Sequence, residues 1–204
     1  MTASRPPPYT AAEALDRLKA GNTRFVSGQA RFPRVQKEVL AELARGQLPY
    51  ATILGCSDSR VPPELLFDAG LGELFVIRVA GNVLGPSIKG TLQYASAHLH
   101  TPLFVVLGHE GCGAVEAAIA GKFHGASQRS RIAVLLKNIE PALDGLDPAM
   151  PPAALLSAGV EANVRWTIRQ VLDSPEVKSR QKRDDVKLVG AVYEIATGRV
   201  RFLD

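Results

Sequence analysis

Short, almost uninterrupted apolar segments recur along the chain, and helical patterns separate them. Residues 51–54 (ATIL), 74–79 (LFVIRV) and 103–107 (LFVVL) each have the length of a single β-strand. Strands that are apolar on both faces are typical of parallel sheets that helices cover on both sides. The sequence therefore predicts an α/β protein with a central, mostly parallel β-sheet flanked by helices.

Helical patterns and turn residues fill the intervals between these strands. Proline is favoured at the first position of a helix, and clusters of Pro, Gly and Asp mark loops. We predict helices at 86–98, from about Gly113, and at about 153–172, a loop at 141–152, and a closing strand pair at 186–194 and 200–203.

The region ahead of the first strand predicts an N-terminal helical arm. Thr10 and Glu13 have the spacing of a capping box, in which each side chain accepts a hydrogen bond from the backbone of the other residue. The helix that they open is expected to end at Gly21, and a second helix is expected at about 35–45. An arm of this kind is expected to wrap a partner subunit.

Composition and charge narrow the classes of function. The 204 residues are 46% hydrophobic, which predicts one domain with an arm at 1–48 and an α/β core at 49–204. Lys and Arg exceed Asp and Glu by 24 − 20 = 4, and the basic segment 178–183 (KSRQKR) carries no aromatic residue. It is interpreted as a solvated loop, so no nucleic-acid partner is expected.

Two observations bear on the cellular setting. No apolar run approaches the roughly 20 residues of a membrane span, and the first residues lack the apolar core of an export signal. The chain has two cysteines, and in a reducing compartment cysteines serve metals or catalysis more often than disulfides. A cytoplasmic location without a membrane partner is therefore expected.

Both cysteines and one histidine come just after predicted strands. Cys56 follows the segment 51–54, and His109 and Cys112 follow the segment 103–107. Neighbouring parallel strands would bring the three side chains together at one sheet edge. Two thiolates and one imidazole suit zinc, and three protein ligands leave a fourth position for water.

The residues alone leave other interpretations open. A cysteine in an apolar fold is often a small buried hydrophobe, and Cys112 or Cys56 paired with His109 could be a catalytic nucleophile. His98, His100 and His124 are interpreted as ordinary surface or hydrogen-bonded histidines.

Longer segments around these residues resemble a known family. Residues 56–64 (CSDSRVPPE) and 108–115 (GHEGCGAV) closely resemble the paired signatures of β-class carbonic anhydrases. The resemblance covers most of the chain and is weakest from about 121 to 152. It implies the family's fold, one Zn²⁺ per subunit, reversible hydration of carbon dioxide to bicarbonate, and a homodimer or homotetramer. The same scaffold also serves carbonyl sulfide and carbon disulfide hydrolases, and a non-catalytic zinc-binding module is a further alternative.

The resemblance assigns roles to residues near the two signatures. Cys56, His109 and Cys112 match the zinc ligands of the family. Asp58 and Arg60 match its Asp-Arg pair, in which the arginine orients the carboxylate to accept a hydrogen bond from the zinc-bound water. In a closed form of some members, the residue equivalent to Asp58 becomes a fourth zinc ligand.

Further residues match substrate contacts of the family. Gln47 matches a glutamine that donates to substrate oxygens, and Phe75 and Tyr94 match aromatic residues that line the carbon dioxide pocket, with the tyrosine usually coming from the partner subunit. Gly113 is expected to place a backbone amide near the site. Some bacterial members bind an inhibitory bicarbonate through a tryptophan where this chain has Ile53, so that second site is expected to be absent or altered although Arg78 matches its arginine.

Overall fold

A five-stranded sheet forms the centre of the protein. The computed structural model describes residues 9–31, 37–174, 177–178 and 186–203. The strands are β1 (Ala51–Gly55), β2 (Leu74–Arg78), β3 (Leu103–His109), β4 (Lys187–Tyr193) and β5 (Val200–Leu203). Their order is β2-β1-β3-β4-β5, with parallel pairing except for the antiparallel pair β4 and β5. The predicted α/β fold, with its mostly parallel sheet and closing strand pair, is confirmed.

Helices connect and cover the strands. They are α1 (Ala11–Val26), α2 (Lys37–Leu43), α3 (Pro63–Leu66), α4 (Pro86–Tyr94), α5 (Gly113–His124), α6 (Ser130–Leu136) and α7 (Pro152–Leu172). Single 3₁₀ turns occur at Ala80–Asn82 and Glu140–Leu143, and a π-helical turn, Ala95–Leu99, continues α4. In the described part of the chain, no helix combines the length and the apolar character that crossing a bilayer requires.

Successive residues of the inner strands pack on opposite faces of the sheet. Val105 belongs to a buried cluster that includes Leu18 of α1, whereas Val106 belongs to a second cluster that includes Val160 and Val164 of α7. Both faces are thus covered by helices. This is the physical reason why the strand sequences are apolar at consecutive positions rather than alternating.

Helix α1 begins as the sequence predicts but ends later. The capping box is present: the amide of Glu13 donates to Thr10 Oγ1 (3.3 Å), and the amide of Thr10 donates to the Glu13 carboxylate (2.8 Å). The predicted end at Gly21 is wrong, because α1 continues to Val26. A Cβ at Gly21 would lie 1.9 Å from the carbonyl oxygen of Phe67, so the glycine allows close packing rather than ending the helix.

Two further helices, α2 and α6, differ from the sequence-based predictions. Where the sequence predicts a helix at 35–45, α2 covers Lys37–Leu43 and ends two residues earlier than predicted. Residues 35–36 lie outside the described part, as do 1–8 of the arm and most of 178–183. No residue of α2 is buried. Helix α6 was not predicted, because Ile132 and Val134 point to solvent and give no amphipathic pattern.

Candidate metal centre

The two central strands bring one histidine and both cysteines together. Because Gly55 pairs with Leu107 in the parallel pair β1 and β3, the residues that follow these strands lie at the same edge of the sheet. Cys56 follows β1, His109 ends β3, and Cys112 caps the N-terminus of α5. Their ligand atoms all lie within 4.8 Å of one another, and all three side chains are buried. The convergence expected from the sequence is present.

The imidazole of His109 is oriented with one nitrogen toward this cluster. His109 Nδ1 lies 2.9 Å from the carbonyl oxygen of Glu110, which can only accept, so Nδ1 carries the hydrogen. Nε2 is then a lone-pair acceptor, and it is buried without a hydrogen-bond partner among the described residues. Burial of an unpaired acceptor is unfavourable, and a bound cation would remove that penalty.

The two thiols are coupled to each other. Both cysteines are free. Contact with Cys112 lowers the pKa of Cys56, while contact with Cys56, together with burial, raises the pKa of Cys112. The pair therefore loses one proton readily and holds the second. A divalent cation between the sulfurs would favour loss of both protons, so the donor set fits Zn²⁺.

Backbone amides also point at the sulfurs. The Gly81 amide donates to Cys56 Sγ at 3.3 Å, and the amides of Ala114 and Val115, in the first turn of α5, act to lower the pKa of Cys112 against the larger opposing effects of Cys56 and burial. Amides at a helix N-terminus favour negative charge. The sequence predicts such an amide at Gly113, the first residue of α5, and carries no signal for the amide of Gly81.

Asp58 and Arg60 form a two-point ion pair beside the cluster. Arg60 Nε donates to Asp58 Oδ1 (2.9 Å) and Nη2 donates to Oδ2 (2.7 Å), while the Arg60 amide donates to Oδ1 (3.0 Å). Asp58 Oδ2 lies 3.9 Å from His109 Nε2. The hydrogen bonds from the Arg60 side chain hold the pKa of the Asp58 carboxyl well below its usual range. A permanent carboxylate thus faces the cluster.

Arg78, the last residue of β2, braces the loop that carries these groups. Its Nε donates to the carbonyl oxygen of Cys56 (3.0 Å), and its Nη2 donates to that of Asp58 (2.5 Å). Ile53, by contrast, is fully buried in the core on β1. Arg78 therefore stabilises the loop from Cys56 to Asp58 in its own chain. That the inhibitory bicarbonate site is absent or altered stays a prediction.

Within one chain, the predicted substrate contacts Gln47 and Phe75 lie toward the end of the sheet opposite the cluster. Gln47 is exposed and precedes β1, whereas Cys56 follows the opposite end of that strand. Phe75 pairs with Thr52 near the start of β2, and its ring centroid lies 6.2 Å from that of Tyr94, whose residue is 48% exposed. The strand β1 alone spans roughly 15 Å at about 3.3 Å per residue. Within one chain, Gln47 and the cluster thus lie at opposite ends of β1.

Comparisons with known proteins agree on one family. The family model described as Carbonic anhydrase matches residues 51–200. Carbonic anhydrase 2 of Mycobacterium tuberculosis is 35% identical over 92% of this chain and 90% of its own length, and the carbonic anhydrase of Mycolicibacterium smegmatis is 36% identical over 90% and 88%. The solved β-carbonic anhydrase CcaA has a TM-score of 0.73 at 26% identity, covering 94% of this chain and 88% of its own. The chain belongs to the β-carbonic anhydrase family.

Proposed function

We propose that this protein catalyses the zinc-dependent, reversible hydration of carbon dioxide to bicarbonate and a proton. One observation carries the proposal: the Asp58 carboxylate, fixed by Arg60, lies 3.9 Å from His109 Nε2 beside a three-residue donor set. A purely structural zinc site has no need of the Arg60 pair, which engages both carboxylate oxygens of Asp58 and holds them beside the donor set.

The metal would be held by Cys56, His109 and Cys112. Zinc bound there supplies acidified water as the nucleophile, which carbon dioxide, a weak electrophile, requires at neutral pH. The remaining chemistry belongs to the side chains around it. Because Asp58 stays ionised, its Oδ2 can accept a hydrogen bond from the attacking water and direct a lone pair toward the carbon atom. Arg60 keeps that carboxylate in place.

Negative charge grows on the substrate oxygens during the attack. The N-terminus of α5, including the Gly113 amide, lies next to Cys112 and favours an anion at this position. Two thiolates donate more charge to zinc than three histidines do, so the water should be less acidic than in three-histidine sites. We therefore expect turnover to rise with pH above neutrality.

A second copy of the chain would complete the pocket. Gln47 and Tyr94 are exposed, and α2 leaves Val39 and Leu40 exposed without burying any residue. We propose a homodimer, or a tetramer built from dimers, in which the arm covers the partner and Gln47, Phe75 and Tyr94 approach the partner's metal centre. The free thiols of the cluster suit a reducing compartment, which supports a cytoplasmic location.

Stopped-flow measurement of carbon dioxide hydration tests the proposal. Asp58→Asn should keep about one zinc per chain and lose at least about 100-fold in turnover, since it removes the negative charge and replaces one of the two acceptor oxygens by a donor that cannot pair with Arg60. The control is Asp144→Asn, because Asp144 is an exposed aspartate whose contact is Lys122, and it should behave like wild type. Wild-type turnover in Asp58→Asn would refute the role of Asp58. Hydrolysis of carbonyl sulfide without carbon dioxide hydration would refute the proposed substrate.

A further inference from the structure

The turn Ala80–Asn82, between β2 and α4, has an uncommon backbone. Gly81 has φ 67° and Asn82 has φ 44°, so two consecutive residues lie in the left-handed region. A Cβ at Gly81 would meet Ile139 Cδ1 at 2.8 Å and Ala114 Cβ at 3.0 Å. A non-glycine residue in this region, such as Asn82, persists only where its surroundings hold it.

Two polar side chains of α7 hold this turn. Asn163 Nδ2 donates to the carbonyl oxygen of Gly81 (2.8 Å), and Thr167 Oγ1 donates to that of Asn82 (3.3 Å). Both side chains are buried, and they are four residues apart, so they lie on one face of the helix. Each bond joins segments more than 80 residues apart in the sequence.

The same turn contacts the metal centre directly. The amide and the carbonyl of Gly81 flank one α-carbon, and the amide donates to Cys56 Sγ at 3.3 Å. A restraint on the carbonyl side therefore also limits how the amide can tilt. Hydrogen bonds to a ligand atom fix its orientation and lower the charge that it gives to the metal.

We propose that Asn163, assisted by Thr167, is a positioning residue of the metal centre. It fixes the turn Ala80–Asn82 so that the Gly81 amide donates to the Cys56 thiolate, and it thereby sets the strength of the sulfur–metal bond. The inference rests on the proposed function only in requiring that Cys56 binds the metal. Asn163 acts through Gly81 and touches neither the metal nor the substrate.

Cobalt-substituted protein provides the test, because thiolate-to-cobalt charge-transfer absorption reports the sulfur–metal bond itself. Asn163→Ala should shift this absorption and accelerate metal loss to a chelator by up to about 10-fold, the lower end of the range for direct partners of ligand atoms, because Asn163 acts one contact further out. Thr167→Val should give a smaller change in the same direction, whereas Thr167→Ser, which keeps the hydroxyl, should match wild type.

Asn22 offers a matched control for general destabilisation. It is also a buried asparagine, donating to the carbonyls of Leu66 and Gly198 and accepting from the Val200 amide, but it contacts no residue of the cluster. Asn22→Ala should lower the melting temperature and leave both the absorption and the rate of metal loss unchanged.

Two outcomes contradict two different statements. If Asn163→Ala and Thr167→Val keep the wild-type absorption and rate of metal loss, the positioning role is wrong. Should Asn163→Ala not fold, the Thr167→Val and Thr167→Ser pair decides the same question. If wild-type protein itself gives no thiolate-to-cobalt absorption, the ligand set of the proposed function is wrong.

Discussion

Two buried polar regions of this protein differ in how far the chain itself satisfies them. In the first, which we name the Asp68 corner, Asp68 accepts from Arg24 Nε (2.5 Å), from the Arg31 amide (2.8 Å) and from Arg31 Nε (3.2 Å). Its side chain is 1% exposed. The second region is the cluster of Cys56, His109 and Cys112. There, the buried His109 Nε2 has no hydrogen-bond partner among the described residues, and contact between the two thiols lowers the pKa of Cys56 and raises that of Cys112.

The difference indicates which region is structural and which is functional. A buried carboxylate whose two oxygens both accept hydrogen bonds from its own chain is satisfied without a ligand, so the Asp68 corner joins α1 to the end of α3. A buried donor set that remains incomplete without a cation is unfavourable for folding alone. The following variants test this contrast.

The largest effect is expected where a donor of the cluster is removed. Cys112→Ser should reduce zinc from about one per chain to near zero and reduce carbon dioxide hydration to the buffer rate, because the hydroxyl is a poor zinc ligand. Metal analysis and stopped-flow assays measure both quantities on the same sample. Full zinc occupancy in this variant would show that Cys112 is not a ligand.

Substitution in the Asp68 corner should lower stability without affecting zinc binding. Asp68→Ala leaves two arginines without their shared partner and should lower the free energy of unfolding by about 2–4 kcal/mol, measured in urea. Zinc content and turnover of the folded variant should stay at wild-type values. Loss of zinc from folded Asp68→Ala would remove the distinction between the two regions.

The pH dependence of the free energy of unfolding tests whether the ionised Asp68 carboxylate stabilises the fold. Burial opposes ionisation of Asp68, but the hydrogen bonds with Arg24 and Arg31 outweigh it and lower the pKa of its carboxyl. The stabilisation is therefore complete above the unfolded pKa of about 4 and is lost as the pH falls through the lower folded value. The difference in unfolding free energy between wild type and Asp68→Asn should shrink below about pH 4. A difference that grows there would contradict this sign.

The smallest effect concerns the start of α1, the helix that carries Arg24. Thr10→Ala removes the capping hydroxyl and should lower the free energy of unfolding by about 1 kcal/mol. Thr23→Ala is the control, because Thr23 is on the same helix and its hydroxyl donates to the Lys19 carbonyl within the helix. Neither change should alter zinc content, and thermal unfolding monitored by circular dichroism compares the two variants. If Thr10→Ala and Thr23→Ala lower the free energy of unfolding equally, the Thr10 cap does not stabilise α1.

The sequence predicts much of this fold because the relevant signals are local. Consecutive apolar residues locate β1 and β3, and residues directly after parallel strands meet at one edge, which explains why Cys56 and His109 could be placed together. Thr10 and Glu13 likewise lie one helical turn apart, so their pairing is visible in the sequence.

The features that sequence reasoning missed depend on distant partners. Gly21 resembles a helix end until the carbonyl of Phe67 is seen beside it, and the bond from Asn163 to Gly81 joins residues 82 positions apart. The exposure of α2 could not be read from the apolar face of Val39 and Leu40, because that pattern does not say whether the covering surface belongs to the same chain.

X-ray absorption at the zinc edge of freshly purified, full-length protein tests the central claim most directly. The account predicts about one zinc per chain with two sulfur ligands at about 2.3 Å, one imidazole nitrogen at about 2.0–2.1 Å and one further light atom. Zinc bound only by nitrogen and oxygen, or by a single sulfur, would contradict it.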